Sequence, residues 1–578
     1  MPGRFFYPET QPGPGFTRTS AHAATHTKAY AKLRVYPESG GTLSMRFDWT
    51  NPYPSPRVPV FARDVVATSQ PLAAQAGLRV LAQGGNAVDA AIAAASTIAL
   101  TEPVSNGLGS DCFAIVWDGA KLHGLNASGP SPAAWSPEYF QRKHNGAVPQ
   151  RGWDSVTVPG AVAGWAALHE KLGSLPFGQV LAPAIDYAER GFAISPVVQA
   201  KWAAQADLLS GQPGFAEHFL PRGRVPAIGE QFVLKGAADT LRRIAHTEGR
   251  DFYEGETAHK LVAHAQAHDA ALTLRDLRDF RPEWVTPISM DYRGYTLHQI
   301  PPNGQGIAAL MALGVLRHFD LTVRAVDHAD TQHLMIEAMK LAFADVYAHV
   351  ADPAHMTLSA ETLLNDEYLA SLARRIDTRR AQVYTSQRAP LGGTIYLTAA
   401  DRNGMMVSFI QSNYMGFGSG VVVPGTGVSL QNRGFGFSNK AGHPNVVGGG
   451  KRPFHTIIPG FLTREGAPVM SFGVMGGNMQ PQGQVQTLVR MLDYGQQPQS
   501  ACDAPRWKWN EGLSVDVEAG VSAGLRSALG ARGHVLEARP DAYMDFGSGQ
   551  FIWRLGNPAV DGYVAASDSR RDGLAAGF

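Results

Sequence analysis

The sequence predicts a layered α+β fold in which helices cover a β-sandwich. Helical patterns with two short strands among them dominate the first part of the chain, strand patterns dominate from Thr394, and a further helical pattern follows them. Residues 87–100 are Ala-rich and apolar nearly all round, which is typical of a helix buried between layers. Such a distribution of helices and strands is typical of a layered α+β sandwich.

The first helices are separated by a glycine pair. The pattern predicts one helix within residues 68–85 that stops at Gly84 and Gly85, because glycine commonly ends helices. Asn86 then caps a second helix over 87–100, since a side-chain oxygen there can accept from the first free N–H groups. Further helices are predicted over residues 160–173, 179–191, 331–350 and 483–495.

The strand patterns fall into two groups. Two short strands joined by a turn at Asp118 and Gly119 are predicted early in the chain. After residue 393, apolar and polar residues alternate along the sequence, a pattern that predicts strands. Predicted strands cover residues 112–119, 121–128, 394–401, 405–413 and 469–477.

Length and composition exclude several classes of protein. A chain of 578 residues exceeds what one hydrophobic core usually serves, so two units or one large layered fold are expected. Lys plus Arg is 50 and Asp plus Glu is 49, so no global field would attract nucleic acid or a membrane surface. No apolar run reaches membrane-spanning length, and with no signal peptide visible the sequence predicts a cytoplasmic protein.

Two cysteines, Cys112 and Cys502, do not form a disulfide framework, and buried inert roles are expected for both. The histidines show no zinc-site spacing, and no metal or organic cofactor is predicted. Residues 1–44 lack the apolar patterning of a core. They are interpreted either as a disordered extension or as sequence upstream of a true start at Met45.

One short stretch raises a chemical question. A glycine pair ending at Gly393 precedes Thr394, which opens a strand. By spacing alone, a loop before an edge strand is the better interpretation, because glycine pairs commonly mark loops. The alternative is that the chain is cut there. A new N-terminal threonine would then carry its own base, the free α-amino group.

Several long motifs favour the second interpretation. The chain resembles the γ-glutamyltranspeptidase family over roughly residues 60 to 575, with the motifs in that family's order. These motifs are GGNAVDAAIAAASTIALTEPVSNGLGSDCF, VPGAVAGWAALHEKLGSLPFGQVLAPAIDYAERGF, EAMKLAFADVY, KRPFHTIIPG and GGNMQPQGQVQTLVRMLDYGQQPQSACDAPRW. The resemblance implies an N-terminal nucleophile hydrolase with an αββα four-layer sandwich.

The resemblance also implies how the precursor matures. It implies self-cleavage between Gly393 and Thr394, which divides the chain into a large subunit, 45–393, and a small subunit, 394–578. A homodimer of such processed heterodimers stays open. Within the site, the resemblance assigns Gly476 and Gly477 to the oxyanion hole and Ser412 to steadying the nucleophile's amino group. From the residues alone, a strand-ending turn and a solvated strand serine are the competing interpretations.

The substrate pocket departs from the family pattern. Asn126 stands where the family has the arginine that holds the glutamyl α-carboxylate, and Gly436 stands where it has the acid that holds the α-amino group. Arg433 replaces an uncharged amide nearby, so a cation is present where the acid is lost. Arg433 is therefore predicted to bind a substrate carboxylate, with a structural salt bridge as the alternative.

Three further positions and one segment differ from the family. His455 and Thr456 replace a pair of serines, and Tyr414 replaces an asparagine two residues beyond Ser412. All three are predicted substrate-pocket residues, with a core or rim histidine as the alternative for His455. The segment 438–454 is shorter than the family's lid, so a more open cleft is expected.

The sequence therefore predicts a self-processing amide hydrolase or acyltransferase that forms an acyl-enzyme on Thr394. Its expected partner is a small-molecule amide whose acyl group carries a terminal carboxylate, as in the oxamate amidohydrolase and cephalosporin acylase branches that the chain resembles. Two alternatives stay open. One is a true γ-glutamyltranspeptidase, or glutathione hydrolase, and the other is an unprocessed, non-enzymatic homologue that only binds a ligand.

Overall fold

Two facing antiparallel sheets form the centre of the computed structural model of the chain. The structure describes residue 53 and residues 57–384, 393–540 and 546–578, which belong to one compact unit, Phe47–Phe578. The predicted extension over residues 1–44 lies outside the described residues. The α-helices are α1 Pro71–Ala82, α2 Ala87–Thr101, α3 Pro137–His144, α4 Ala161–Leu172, α5 Phe177–Arg190, α6 Pro196–Leu209, α7 Phe215–Phe219, α8 Lys235–Thr247, α9 Asp251–Glu254, α10 Glu256–Ala267, α11 Leu274–Asp279, α12 Ile307–Leu316, α13 Ala329–His349, α14 Ala360–Leu363, α15 Asp366–Ala373, α16 Met479–Leu492, α17 Pro498–Asp503 and α18 Ala523–Ala531.

Fourteen of the described strands form the two large sheets, and the other seven form three smaller sheets. They are β1 Val60–Ala62, β2 Val65–Thr68, β3 Asp111–Trp117, β4 Leu122–Ala127, β5 Phe192–Ala193, β6 Gln231–Phe232, β7 Glu283–Val285, β8 Ile288–Tyr292, β9 Tyr295–Gln299, β10 Gly393–Ala400, β11 Met406–Tyr414, β12 Val422–Val423, β13 Val428–Ser429, β14 Gly460–Arg464, β15 Ala467–Met475, β16 Trp507–Glu511, β17 Ser514–Glu518, β18 Val535–Arg539, β19 Ser548–Arg554, β20 Tyr563–Ser567 and β21 Leu574–Gly577. One sheet has the order β1-β20-β19-β15-β14-β9-β8, and the other has the order β21-β2-β10-β11-β3-β4-β7.

Apolar side chains from both sheets meet in a shared core. Phe113, Tyr396 and Ile410 from one sheet contact Phe461 and Ile552 from the other. Helices α1, α2 and α4 cover the outer face of the sheet that contains β10, and α12 and α16 cover the other sheet. The layers therefore follow the order helix, sheet, sheet, helix, which confirms the predicted αββα sandwich.

Helix α2 shows how composition determines a layer. All fifteen of its residues are buried, as its uniformly apolar sequence predicts. Asn86 caps it by accepting from the N–H groups of Val88 and Asp89, and Asp89 completes a capping box. The expected burial of Cys112 and Cys502 is also confirmed, and both are free thiols.

The predicted elements are present with ends that differ by a few residues, whereas several helices between residues 192 and 330 were not predicted. Helix α12, Ile307–Leu316, is an example: every residue is buried and apolar residues lie on all faces, so the sequence shows no helical period. Within the described residues, no helix combines the length and the apolar character needed to cross a membrane.

Candidate active site

Thr394 lies at an irregularity between the two central strands β10 and β11. The register shifts between Gly393 and Ile395, because two residues of β11, Ser412 and Asn413, lie opposite Thr394. An extra residue of this kind bends the strand and redirects the neighbouring side chains. The bulge brings the hydroxyl groups of Thr394 and Ser412 together, although 18 residues separate them in the sequence.

The Thr394 hydroxyl lies beside the carbonyl group of the residue before it. Its Oγ1 donates to Gly393 O over 2.7 Å and lies 3.3 Å from Ser412 Oγ. Ser412 Oγ also donates to Gly393 O over 2.7 Å, and it accepts from the Tyr414 N–H. Gln480 Nε2 donates to Thr394 Oγ1 over 3.3 Å. The Thr394 hydroxyl thus lies beside a carbonyl group that it could attack, and Ser412 Oγ donates to the carbonyl oxygen on which negative charge would then develop.

Two glycines follow the central strand of the opposite sheet. After β15 ends at Met475, Gly476 has φ 119° and Gly477 has φ 58°, and α16 begins at Met479. L side chains rarely adopt these conformations, and a Cβ on Gly476 would lie 2.9 Å from the Gly547 backbone. The turn therefore requires glycine for its shape, whatever chemistry its N–H groups support.

Arg433 is fully buried and only partly hydrogen-bonded. Its Nη1 donates to Thr456 Oγ1 over 2.9 Å, and its guanidinium lies over the Tyr414 ring, 4.4 Å from the centroid. Its Nε and Nη2 have no hydrogen-bond partner in the described part of the chain. Burial lowers the pKa of Arg433 to about 10, while the neighbouring Asp111 opposes that shift. The group is a buried cation whose side-on edge, Nε and Nη2, is unoccupied.

Asp111 and His455 form a buried pair beside Arg433. His455 Nε2 lies 3.1 Å from Asp111 Oδ2, and its Nδ1 accepts from the Ile457 N–H. Burial lowers the pKa of His455 well below its usual value, so the ring is neutral and its Nε2–H donates to Asp111. Burial also raises the pKa of Asp111 to about 7, although Arg433 and two backbone N–H groups oppose the shift.

Tyr414 adopts a conformation that is unusual for its residue type. Its φ is 76°, in the left-handed region that asparagine and glycine tolerate best. This backbone geometry accompanies two contacts: the Tyr414 N–H donates to Ser412 Oγ, and the ring lies under the guanidinium of Arg433. A positive φ explains why asparagine suits this position in the family that the sequence resembles.

The other two substitutions at the predicted pocket have different surroundings. Asn126 Nδ2 donates to Asn303 Oδ1, and Asn126 Oδ1 accepts from Ser128, so both amide atoms already have partners. A Cβ on Gly436 would lie 2.7 Å from Phe454 O, so the present backbone leaves no room for an acidic side chain. The structure thus brings Arg433, Tyr414, His455 and Thr456 together, and it connects Asn126 to a separate amide network.

The intact chain shows no open cleft at this point. Thr394 is 2% exposed and Arg433 is 0% exposed. The short segment 438–454 folds back on itself, since Asn445 donates to Gly436 O and Lys451 Nζ donates to Val446 O. The expected more open cleft is therefore not seen among the described residues of the intact chain.

Sequence reasoning missed three residues of this region. Gln480 contacts the Thr394 hydroxyl, Gln305 contacts Gly477, and Asp111 contacts His455. One signal was available: α16 carries glutamine at 480, 482, 484 and 486, all buried, in a helix that follows the glycine pair directly. Buried amides are normally hydrogen-bonded, so a glutamine run in an interior helix indicates polar partners nearby.

A second polar cluster lies elsewhere. His333 and Glu337 on α13 meet His534, with ligand atoms within 4.8 Å of one another. Each group already has partners, because His534 contacts His333 Nδ1, His333 Nε2 donates to Asp377 O, and Lys340 Nζ lies 2.7 Å from Glu337. The buried ammonium of Lys340 opposes a metal ion at this position, so the cluster is interpreted as structural.

The chain is similar to known proteins over most of its length. The gamma-glutamyltranspeptidase family profile matches residues 73–578. A glutathione hydrolase-like proenzyme of Bacillus subtilis is 37% identical over 530 residues, which cover 89% of this chain and 98% of the relative. The oxamate amidohydrolase proenzyme of Klebsiella pneumoniae is 35% identical over 521 residues, which cover 88% of this chain and 97% of the relative.

A solved structure agrees with these alignments. The crystal structure of a cephalosporin acylase from Bacillus halodurans superimposes with a TM-score of 0.86 and 47% sequence identity. The superposition covers 92% of this chain and 98% of the acylase. The likeness therefore extends over nearly the whole of both chains.

Proposed function

The chain belongs to the gamma-glutamyltranspeptidase family and is a self-processing amide hydrolase or acyltransferase. We propose that Thr394 is its nucleophile. We also propose that Arg433 binds a terminal carboxylate of the acyl donor. The second part of this proposal depends chiefly on one observation. The side-on edge of a fully buried guanidinium has no partner in the described structure.

Maturation begins at the peptide bond between Gly393 and Thr394. Thr394 Oγ attacks the Gly393 carbonyl carbon, the C–N bond breaks, and the hydroxyl proton passes to the released nitrogen. Water then hydrolyses the resulting ester, which leaves a carboxylate on Gly393 and restores the Thr394 hydroxyl. Two contacts support this step: Thr394 Oγ1 lies beside the Gly393 carbonyl group, and Ser412 Oγ donates to Gly393 O, where the oxyanion would form.

The proposed cleavage divides the chain into residues up to 393 and residues 394–578, and the sheet explains why the parts would stay together. Strand β10 pairs with β2, and β11 pairs with β3. The segments before and after the cut therefore alternate within one sheet. Their separation would break backbone hydrogen bonds along both interfaces.

The processed enzyme would act through an acyl-enzyme. The new α-amino group of Thr394, with a pKa near 8, takes the hydroxyl proton as Oγ attacks the amide carbonyl. The N–H groups of Gly476 and Gly477 would stabilise the oxyanion, and the amine then protonates the leaving group. Water resolves the acyl-enzyme in hydrolysis, and an amine acceptor resolves it in transfer. Ser412, beside Oγ, would steady the amine.

Arg433 supports a carboxylate-bearing acyl group. Its free Nε and Nη2 donors match the two oxygens of one carboxylate, and a buried bidentate pair of this kind is among the stronger hydrogen-bonded contacts. Thr456 and Tyr414 hold the guanidinium from two other sides, so its orientation is restrained before a substrate arrives. Two of the relatives, an oxamate amidohydrolase and a cephalosporin acylase, are consistent with this substrate class.

A γ-glutamyl donor is a poorer match because it also carries an ammonium group. Gly436 stands at the position of the family's acid, and its backbone leaves no room for a side chain. Asp111 is buried and already accepts from His455 and from two backbone N–H groups. An unpartnered polar group in a dry site costs about 1–3 kcal/mol, and more when it is charged.

A substrate panel on processed enzyme tests the proposal. We expect glutaryl or oxamate-type amides, whichever acyl length fits the site, to be cut faster than γ-glutamyl amides and faster than neutral acyl amides of equal length. Initial rates with matched p-nitroanilides, and ammonia release from oxamate, supply the comparison. If γ-glutamyl donors are fastest, the carboxylate proposal is wrong and a glutathione hydrolase is the better assignment.

A further inference from the structure

One buried side chain, Gln305, joins two parts of the proposed site. Its Nε2 donates to Thr456 O over 2.6 Å and to Gly477 O over 2.9 Å. Its backbone N–H donates to His455 O, which aligns the segment before α12 with the chain around Thr456. Gln305 therefore contacts both a neighbour of Arg433 and one of the two glycines.

The orientation of this amide follows from its partners. Both contacts are carbonyl oxygens, which only accept, so the nitrogen of the Gln305 amide and not its oxygen must face them. Its Oε1 is buried without a partner in the described part of the chain. Gln299 Oε1 is also buried without a partner in the described residues, so what distinguishes Gln305 is that its nitrogen holds two carbonyl groups of the proposed site.

The glycine pair needs such an anchor. Glycine has no Cβ and the most permissive backbone, so nothing within the residue restrains the direction of its N–H group. A bond to the Gly477 carbonyl restrains ψ of that residue, and with it the turn after β15. We propose that Gln305 is a positioning residue, which sets the separation between the oxyanion-binding glycines and Arg433 by holding Gly477 and Thr456 on one nitrogen atom.

This inference rests on the proposed function and adds a measurable property to it. A substrate must place its scissile carbonyl at the glycine pair while its terminal carboxylate reaches Arg433. A fixed separation favours one acyl length, and a one-methylene mismatch in such a site changes kcat/KM by roughly tenfold or more. If the distance between the glycine pair and Arg433 were no longer fixed, the chemical step would be slower and the preference for one acyl length would be weaker.

The test compares wild-type enzyme with Gln305→Met and with Gln299→Met, all in processed form. Gln299 is a matched control: it is also fully buried, and its Nε2 donates to Gln484 Oε1 rather than to Gly477 or Thr456. The substrates are oxalyl, malonyl, succinyl, glutaryl and adipyl p-nitroanilides, together with a neutral butyryl p-nitroanilide. For each variant, kcat, KM and the midpoint of thermal unfolding are measured. If Gln305→Met yields no soluble processed protein, Gln305→Glu replaces it, because glutamate keeps the shape but loses the donor amide.

We expect Gln305→Met to lower kcat on the best substrate about tenfold to a hundredfold, with KM within threefold, and to flatten the length profile. Gln299→Met should keep the wild-type kcat and profile even if its unfolding midpoint falls equally. Unchanged kcat and an unchanged profile in the Gln305 variant would overturn the inference and leave the carboxylate proposal intact. If wild-type enzyme shows no preference for carboxylate donors, the proposed function fails instead. The kcat ratio between the two variants on the best amide then decides the role of Gln305.

Discussion

Replacement of Arg433 by methionine should lower activity without lowering stability. Methionine is unbranched and apolar and matches the arginine side chain as far as Nε, so it fills most of the buried stem without charge. The wild-type side chain leaves Nε and Nη2 unpartnered, and a buried unsatisfied donor costs about 1–3 kcal/mol. Against this, the variant loses the bond to Thr456, a net contribution of about 0.5–1.5 kcal/mol. It also loses the contact with the Tyr414 ring, which contributes up to about 2 kcal/mol.

Because two donors are unsatisfied, their combined cost is about 2–6 kcal/mol, which in mid-range exceeds the lost contacts, so we expect the free energy of unfolding to be unchanged or to rise by about 2 kcal/mol in the variant. Arg506 supplies the matched control, because it is equally buried but paired with Asp568 at 2.7 Å. Arg506→Met removes a charged bond to Asp568, which keeps Arg570 as its other cation, and should cost about 1.5–3 kcal/mol. Chemical denaturation of the processed proteins measures both changes.

The activity of Arg433→Met should fall only toward donors with a carboxylate. Loss of one partner of a buried charge pair costs about 2–5 kcal/mol. At 1.4 kcal/mol per tenfold, this is roughly 30- to 4,000-fold in kcat/KM for glutaryl p-nitroanilide. The rate with butyryl p-nitroanilide and the rate of self-cleavage should stay within about threefold of wild type. A variant that keeps the carboxylate preference and is destabilised as much as Arg506→Met would show that Arg433 is structural.

Three further predictions concern maturation and pH. The Thr394→Ala protein should remain one band on a denaturing gel, whereas the Thr394→Ser protein should be cut, since serine keeps a hydroxyl. Mass analysis of the small wild-type product should give a sequence that begins TIYLTAAD, and a different first residue would exclude the proposed cleavage site. Ser412→Ala removes one hydroxyl donor from Gly393 O and should slow self-cleavage about 100-fold, by comparison with the loss of one oxyanion donor; a gel time course with an unchanged half-life would contradict this role. Burial raises the pKa of Asp111 to about 7 in the folded chain. Between about pH 4 and pH 7 the folded chain therefore keeps a proton that the unfolded chain has lost, so the free energy of unfolding falls as the pH rises through this range. Asp111→Asn should remove that slope in the unfolding midpoint, and equal slopes in both proteins would refute the assignment.

Local sequence determined the layers of the fold and the positions where the chain turns. Helix α2 has no polar face, so burial on all sides is the only favourable arrangement, and the structure has it. Gly476 and Gly477 follow a strand and precede a helix, and the positive φ of each is a local requirement that other residues rarely meet. The motif that ends at Thr394 likewise marks the start of β10, which lies where the sequence predicts it.

The site itself depended on tertiary structure. The bulge that brings Ser412 to Thr394 is a shift in strand register, and alternation along one strand does not record its partner's register. Asp111 meets His455 across 344 residues, and Gln305 meets Gly477 across 172. The sequence identified Arg433 as a candidate cation, but only the folded chain showed that its side-on edge is buried and unpaired. Periodicity in the sequence indicates which face of a helix or strand is buried. A polar contact or a shifted pKa depends instead on which distant groups lie in the same interior, and the packing of the sheets and helices determines those groups.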